Sequence, residues 1–369
     1  MKILFVCRMF DEMAGGVERM SILLMNSLVD RGHDVSLFTW DHPAARAFYP
    51  MRESIRWHRL NMGDPGRSAS AALRFSRMVA FRKYAAALGP DVVVAFQHGA
   101  YLFAALGLVP RRIPVVLAER NAPDRLDHTS EGRHRGTMFL TMRMAAAVTV
   151  QFASYVERYP KHLRARIVAI SNPVYRAEEF ATPGANKARR TLLSIGRLSY
   201  QKNFAPLVCA FASLAARFPD WQLRIVGDGE ERASLLDLVE RLGMGTRVSL
   251  PGAVRDVSME YRAADLFCLP SRWEGFPNAL AEAMAHGLPV VGYRQCAGMS
   301  ELVTPGRDGQ LADGNGDPDT LAAALAPLMQ DATLRGRMGM EARRISEVYP
   351  PERSFDDWER LLRRVANSR

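Results

Sequence analysis

Short β-branched or apolar runs alternate along this chain with stretches of helical periodicity, the pattern of parallel strands joined by crossover helices. In the first half the runs are Lys2 to Cys7, Val35 to Trp40, Val92 to Phe96, Val115 to Ala118, Val148 to Gln151 and Ile167 to Ile170. In the second half they are Leu192 to Ile195, Gln222 to Val226, Val248 to Leu250, Leu266 to Leu269 and Pro289 to Gly292. Each set predicts one doubly wound α/β domain, and 369 residues exceed the usual size of a single core. The stretch between Ser171-Asn172-Pro173-Val174 and Lys187-Ala188-Arg189-Arg190 holds Pro183-Gly184 and has no periodicity, so the boundary is expected near residue 180. The expected parts are residues 1–180, residues 181–350 and a final helix over 351–369 that follows the proline break at Pro350-Pro351.

Composition narrows the class. Hydrophobic residues at 48% and charged residues at 24% are those of an ordinary globular protein. The longest mainly apolar runs, such as Phe204 to Ala216, fall short of the roughly 20 residues that a bilayer-spanning helix needs. The opening residues carry a short apolar run that ends at Arg8 and no small-residue cleavage pattern, so no secretory signal is expected. Cys7, Cys209, Cys268 and Cys296 show no C-x-x-C spacing, which suggests reduced thiols in the cytoplasm and no zinc site.

Charge is informative once divided. Residues 1–175 hold 24 Lys and Arg against 14 Asp and Glu, whereas residues 176–369 hold 25 of each kind. All of the excess positive charge therefore lies in the first half, which favours an anionic partner there, although an arginine-rich genome would write the same excess. Nucleic acid is disfavoured, because the charges are scattered through α/β units with neither an aromatic R/K-G-F/Y motif nor a zinc-finger spacing. Two basic segments suit a membrane surface better. Ser68 to Leu88 combines Arg74, Arg77, Arg82 and Lys83 with Leu73, Phe75 and Phe81, and Arg125 to Arg143 adds Arg133, His134 and Arg135. They read either as reversible docking elements for an anionic bilayer or as amphipathic helices packed on their own sheet.

The most informative segment is P-S-R-W-E-G-F-P-N-A-L-A-E-A-M-A-H-G-L-P-V-V, beginning at Pro270. It reads as strand end, acid-bearing loop, helix, turn and strand, with Pro277 at a first helical position and Gly287 and Pro289 as the stop. A helix N-terminus directly after Glu274 offers backbone N–H groups to an anion. Glu282 shares a helix face with Asn278, so two acids border one region. Alone, the pair also fits a solvated helix residue and a favourable charge near a helix N-terminus. Gly15 and Gly16 between the first strand and the first helix suit a phosphate on backbone N–H groups, or simply a tight turn. Asp41 follows the second strand as a ribose-binding acid would, but no G-x-G-x-x-G turn accompanies it, so a dehydrogenase is disfavoured. Arg197 and Lys202 flank the loop after the first strand of the second half, where their side chains can converge on a diphosphate. The only D-x-D, Asp317-Pro318-Asp319, reads as a helix start, and no metal is expected.

The Glu274 to Glu282 segment resembles the signature of family-4 retaining glycosyltransferases. The likeness extends to Gly15-Gly16-Val17-Glu18-Arg19, Gly32-His33-Asp34-Val35, Gly196-Arg197-Leu198 with Lys202-Asn203, and Val226-Gly227-Asp228-Gly229. It implies the GT-B architecture, two Rossmann-like domains facing across a cleft, with the last helix packing back on the first. It also implies a nucleotide-sugar donor with no other cofactor, and retention of anomeric configuration. On this resemblance Arg197 and Lys202 clamp the diphosphate, Glu282 accepts hydrogen bonds from the ribose and Glu274 approaches the donor sugar. Backbone N–H groups of Phe276, Asn278 and Ala279 meet phosphate or sugar oxygens, and the base lies near Gly252-Ala253-Val254. In the first half His98 is either a donor over the reaction centre or a structural histidine at a strand end. Ala118-Glu119-Arg120-Asn121 is similar to a segment of members that extend polyprenol-diphosphate-linked glycans. Glu119 and Arg120 are therefore acceptor-side candidates, the alternative being loop residues in surface ion pairs. The expected function is transfer from a UDP-sugar, favoured over a GDP-sugar, to a glycan or lipid-linked acceptor in cell-surface polysaccharide or lipopolysaccharide synthesis, at the inner face of the cytoplasmic membrane. The competing readings are a sugar-nucleotide epimerase or a phosphorylase on the same fold.

Overall fold

A parallel strand covered by helices on both faces needs a nearly continuous apolar run, and the runs of this chain pair accordingly. The computed structural model describes residues 1–13, 15–67, 69–185, 187–254 and 256–368, without the side chains of Pro110 and Glu131. Ser68, the expected start of the first basic segment, lies outside the described residues. Two compact units divide the chain, Met1–Asn172 with Glu352–Arg369 and Pro173–Pro351.

The first unit runs β1 (Lys2–Val6), α1 (Gly16–Asp30), β2 (Asp34–Thr39), β3 (Arg56–Arg59), α2 (Ala71–Leu88), β4 (Val92–Phe96), α3 (Gln97–Leu108), β5 (Val115–Ala118), α4 (Arg125–His128), α5 (Arg135–Met142), β6 (Ala147–Val150), α6 (Lys161–Arg164) and β7 (Ile167–Ala169). Its strands form one parallel sheet in the order β3-β2-β1-β4-β5-β6-β7, with Phe5 of β1 opposite Leu37 on one side and Val94 on the other. The order reverses between β1 and β4, the kind of switch point where loops part and ligands bind. Strand alternation sends Ile3, Phe5, Val92 and Val94 to one face, under α1. Phe38 goes to the other, where it meets Phe81 of α2 at 5.1 Å, and Trp40 meets Phe103 of α3 at 5.2 Å.

The second unit runs β8 (Arg190–Ile195), α7 (Phe204–Leu214), β9 (Trp221–Val226), α8 (Arg232–Arg241), β10 (Val248–Gly252), α9 (Val257–Ala263), β11 (Leu266–Leu269), α10 (Asn278–Ala285), β12 (Val290–Tyr293), α11 (Ala297–Leu302), β13 (Gly309–Ala312), α12 (Pro318–Gln330), α13 (Ala332–Ala342) and α14 (Ile345–Val348). The sheet order is β10-β9-β8-β11-β12-β13, all parallel, and here the reversal falls between β8 and β11.

Three features differ from the sequence reading. Strands β3 (R-W-H-R) and β13 (G-Q-L-A) are absent from the apolar runs. Both are edge strands, which pair on one side only and so need no continuous apolar run. The unit boundary lies at Asn172 and Pro173 rather than near residue 180. Residues 173–180 go with the second unit, since Val174 N–H donates to Tyr349 O and Ala181 N–H to His286 O, each at 2.8 Å.

The last helix, α15 (Pro351–Asn367), supplies Phe355, Trp358, Leu361, Leu362 and Val365 to the core of the first unit. Polar contacts fix its register. Ser354 Oγ donates to Ser171 O at 2.7 Å, Arg31 Nη1 donates to Glu359 Oε2 at 2.8 Å, and His33 Nε2 lies 3.0 Å from Glu359 Oε1. The hydrogen bond from Arg31, opposed by burial and aided by Arg363 and His33, brings the Glu359 carboxyl down to about 2. A folded-state value below the unfolded one contributes stability that is fully present above the unfolded value and is lost as pH falls toward the folded one. Stability of the wild type against urea should therefore drop between about pH 4.5 and 2 by more than that of Glu359→Gln. Parallel pH profiles for the two proteins would remove this contact from the account.

Candidate active site

In the second unit the loops after β8 and β11 leave neighbouring strands at the switch point, and they are stitched together by backbone and amide groups. Arg272 N–H donates to Gln201 O at 2.8 Å, Gln201 Nε2 to Trp273 O at 2.9 Å and Asn203 Nδ2 to Pro270 O at 3.2 Å. Asn203 takes a left-handed conformation (φ 57°) where the chain turns into α7, a geometry that asparagine tolerates better than most residues. This stitching places Lys202 Nζ 2.5 Å from Glu274 Oε1, an oxygen that also accepts from Ser271 Oγ at 2.6 Å. The two side chains are only 18% and 6% exposed. Desolvating such a pair is costly, and it holds only because attraction and the Ser271 hydrogen bond offset the loss of water. Space is equally constrained. A Cβ on Gly298 would lie 2.9 Å from Glu274 O, so α11 approaches the acidic loop only with glycine there.

Helix α10 begins at Asn278, one residue later than the sequence suggests, with Pro277 as its cap residue. The Asn278 N–H, expected to meet a ligand oxygen, donates to Phe276 O at 2.9 Å. The Phe276 ring is buried edge-to-face on Tyr349, 5.6 Å between centroids, which fixes the turn that leads into α10 and Ala279. One turn on, half-buried Glu282 accepts from Tyr261 OH at 3.1 Å. His286 closes this group, with Nδ1 2.7 Å from Glu282 O and Nε2 2.9 Å from Ser258 Oγ.

Arg197 and Lys202 do not converge in this structure. Arg197 is 71% exposed and pairs with Glu230 at 3.3 Å, while Lys202 is drawn to Glu274. An exposed pair of this kind is worth at most about 1 kcal/mol, so Arg197 can leave it at little cost. Around these loops the backbone is tight. Gly227 sits at φ 138° with its N–H donating to Gly252 O at 2.9 Å, and a Cβ there would come within 2.0 Å of Gly196 O. Gly252 itself, at φ 88°, ends β10 in the left-handed region.

In the first unit the switch-point strands β1 and β4 lead to the Gly15-Gly16 turn and to Gln97-His98. Gly15 is the cap residue of α1 and Gly16 its first residue. The Glu18 carboxyl in the first turn is raised by burial. His98 belongs to the start of α3 rather than to a strand end, just after Gln97 at φ 66°. Its Nε2 lies 2.8 Å from Thr141 Oγ1. Glu119 and Arg120 are not surface ion pairs, because both are buried. Glu119 Oε1 accepts from the N–H groups of Arg120 and Asn121 at 3.0 and 3.2 Å, and Arg120 Nη2 donates to Asn172 Oδ1. Burial brings the Arg120 guanidinium down to about 10 in spite of Glu119. Asp41 is buried and accepts from Phe10 N–H at 2.9 Å, a structural role.

The sequence reading passed over Ser271, Tyr261 and Gly298. Ser271 stood in the quoted segment three residues before Glu274, whereas nothing in the sequence pairs Tyr261 or Gly298 with the acids. Asp317 caps α12 by accepting from Asp319 N–H at 3.0 Å. Among the described residues no group of three or more His, Cys, Asp or Glu side chains is placed to hold a metal ion, and no helix is long and apolar enough to cross a membrane.

Two doubly wound units, each with candidate side chains at its switch point, make an α/β protein of two Rossmann-like domains. Residues 176–345 match the family described as glycosyl transferases group 1, and residues 15–173 match a glycosyl transferase 4-like domain. The chain is 30% identical, over 95% of its length and 96% of the relative's, to a protein of Haemophilus influenzae named only as an uncharacterized glycosyltransferase. It is 25% identical, over the full length of both, to an α-1,4-N-acetyl-D-galactosaminyltransferase of Campylobacter jejuni whose name gives a diNAcBac-PP-undecaprenol-linked GalNAc acceptor. The solved structure of HepE from Anabaena, in complex with UDP and glucose, superposes with a TM-score of 0.78 at 21% identity, covering 98% of this chain and 99% of that one. The chain belongs to the family-4 glycosyltransferases of the GT-B fold.

The buried pair yields a stability test. Lys202→Met leaves the Glu274 carboxylate buried without its cation and should cost about 3 kcal/mol or more, most of it recovered when Glu274→Gln is added. Denaturant unfolding of the two single variants and the double variant measures this. Additive costs would mean that the two groups do not interact.

Proposed function

We propose that this glycosyltransferase is a retaining enzyme that moves a sugar from a UDP-sugar, in preference to a GDP-sugar, to a glycan or polyprenol-diphosphate-linked acceptor in cell-surface polysaccharide synthesis, without a metal ion. The observation that carries the reading is the Lys202–Glu274 pair, set at the switch point of the second sheet and leading directly into the N-terminus of α10. A half-buried ammonium held by a buried carboxylate is pre-positioned to turn toward a diphosphate. The UDP held by the Anabaena neighbour and the undecaprenol-linked acceptor named for the Campylobacter relative support the choice of donor base and acceptor.

In this reading Lys202 and Arg197 take the growing negative charge as the bond between the anomeric carbon and the phosphate oxygen breaks. Glu274, released from Lys202, turns to hydroxyls of the donor sugar, and Glu282, oriented by Tyr261, accepts from the ribose. Backbone groups at Phe276, Asn278, Ala279 and Gly252 complete the donor site. The acceptor oxygen bonds to the anomeric carbon on the face that the diphosphate leaves, and its proton passes to the departing phosphate oxygen. The task of the protein is positioning and charge stabilisation. In the first unit Gly15 and Gly16 offer the N-terminus of α1 to phosphate, and His98, whose Nε2 is held by a Thr141 hydroxyl that itself donates to Met138 O, acts at the reacting centre through Nδ1, as a donor when the ring is protonated. Glu119 and Arg120 act from beneath the surface, shaping the acceptor loop after β5. The enzyme works in the cytoplasm, at the inner face of the membrane that carries such acceptors.

The test is release of nucleoside diphosphate from UDP- and GDP-sugars in EDTA, with and without a polyprenol-diphosphate-linked glycan. Acceptor-dependent release from a UDP-sugar is expected, with kcat/KM reduced roughly 100-fold or more in Lys202→Ala and Arg197→Ala. In Glu282→Ala the loss should appear mainly as a higher KM for donor. Donor turnover without acceptor would point to an epimerase, and phosphate-dependent cleavage of glycan to a phosphorylase. Normal kinetics in all three variants would remove the site assignment.

A further inference from the structure

The first sheet carries two helix layers of different character, one of mixed charge and one poor in acids. Helices α1 and α15 cover the face of Ile3 and Phe5, and they mix the acids Glu18, Asp30, Glu352, Asp356, Asp357 and Glu359 with Arg19, Arg353, Arg360, Arg363 and Arg364. The other face is covered by α2 and α3 through Phe81 and Phe103, and α5 is tied to α3 by His98 and by Tyr101 OH, which donates to Thr141 O at 2.8 Å. Right-handed crossovers from β3 to β4, β4 to β5 and β5 to β6 put all three helices on this side.

This second layer is almost free of acids. From Pro65 to Ala118 the one acidic residue is Asp91, whose Oδ2 accepts from Lys2 N–H at 2.8 Å, and residues 132–156 contain none. It also leaves large apolar side chains in water. Phe75 of α2 is 70% exposed and Leu140 of α5 is 60% exposed, joined by Leu106 and Val109 at the end of α3 and by Met144 after α5. Exposed cations stand among them, Arg74, Lys83, Arg111, Arg112 and Arg143. Not every candidate in the basic segments takes part. Arg77 is buried and spends its guanidinium on Met62 O at 2.8 Å, and Phe81 lies in the core. The outward residues are therefore a different set from the apolar stripe that seats α2 on the sheet.

Scattered single apolar residues are normal on a protein surface, but several on one cation-bearing layer, whose few acids include Asp91 and the Asp127 that pairs with Arg135, are not. We propose that the outer face of α2, α3 and α5 docks on an anionic lipid bilayer, with Phe75, Val109 and Leu140 entering the interface and the neighbouring cations lying at the level of the headgroup phosphates. The proposal rests on the reading of a membrane-borne acceptor given above. Charge complementarity selects the occupant, since a second copy of this chain would bring the same positive face against itself. Docking by this face also orients the unit, because α1 and α15, whose acids and cations nearly balance, then point away from the membrane. Each cation near the surface strengthens partition about fivefold, and the inserted side chains add to it.

The experiment is flotation of the full chain with vesicles of phosphatidylglycerol and phosphatidylcholine against vesicles of phosphatidylcholine alone, without donor or acceptor. Binding to the anionic vesicles only is expected, weakened roughly tenfold or more when salt rises from about 0.05 to about 0.5 M. The variants Phe75→Ser/Leu140→Ser and Arg74→Gln/Lys83→Gln should each lose roughly tenfold in partition while keeping wild-type unfolding curves. Equal binding to neutral vesicles, no binding at all, or wild-type partition by both variants would overturn the proposal. So would a dimer in sedimentation that the apolar variant abolishes, since the face would then belong to a second copy. Vesicle binding does not depend on sugar transfer, so its failure would leave the donor-site reading standing, and failure of the donor screen would leave this one standing.

Discussion

The candidate donor site depends on one adjacency, the parallel pairing of β8 with β11. Leu192 and Leu266 lie opposite each other in that register, and the strand order reverses between these two strands. Their loops must therefore emerge side by side and have no helix crossing between them. Everything chemically distinctive in the second unit follows from this. The amide and backbone stitching of Gln201 and Asn203 to the other loop brings a lysine and a glutamate from distant parts of the sequence within 2.5 Å. Ser271 holds the glutamate from its own loop, and the glycine at position 298 lets α11 close behind it.

The energetics of that pair explain why it is a poor candidate for a merely structural contact. A buried ion pair stabilises a fold little or not at all compared with apolar residues of the same volume. Here its two members lie beside the N-terminus of α10, at the switch point of the sheet. Arg197, by contrast, waits in a water-screened pair with Glu230. The free site thus contains one cation held by a buried carboxylate and one held only loosely. A diphosphate that bound there would replace the partners of both.

Most of the architecture was legible in the sequence because buried parallel strands leave long apolar runs and because Gly, Pro and Asn mark the turns between them. What escaped was at the margins, for definite physical reasons. Strand β3 is R-W-H-R, an edge strand whose composition is that of a surface, and β13 offers only Leu311 and Ala312 as apolar positions. The boundary was displaced because Val174 and Ala181 are held by hydrogen bonds to Tyr349 and His286, which no local periodicity encodes. At the site, Glu274, Glu282, Arg197 and Lys202 could be picked out because their motif surrounds them. Burial of Glu119 and Arg120, the capture of Lys202 by Glu274 and the support from Tyr261 could not, since each depends on which strands become neighbours. The basic segments of the first unit were visible as composition, but only the packing of α2 and α5 tells outward cations and Phe75 from inward Arg77 and Phe81.

The most direct test of the central claim is a crystal structure of the chain with UDP. The account predicts the diphosphate at the switch point of β8 and β11, with Lys202 Nζ turned from Glu274 onto a phosphate oxygen, Arg197 drawn off Glu230, and the ribose hydroxyls on Glu282. A diphosphate bound elsewhere, or bound there with the Lys202–Glu274 contact intact, would contradict it.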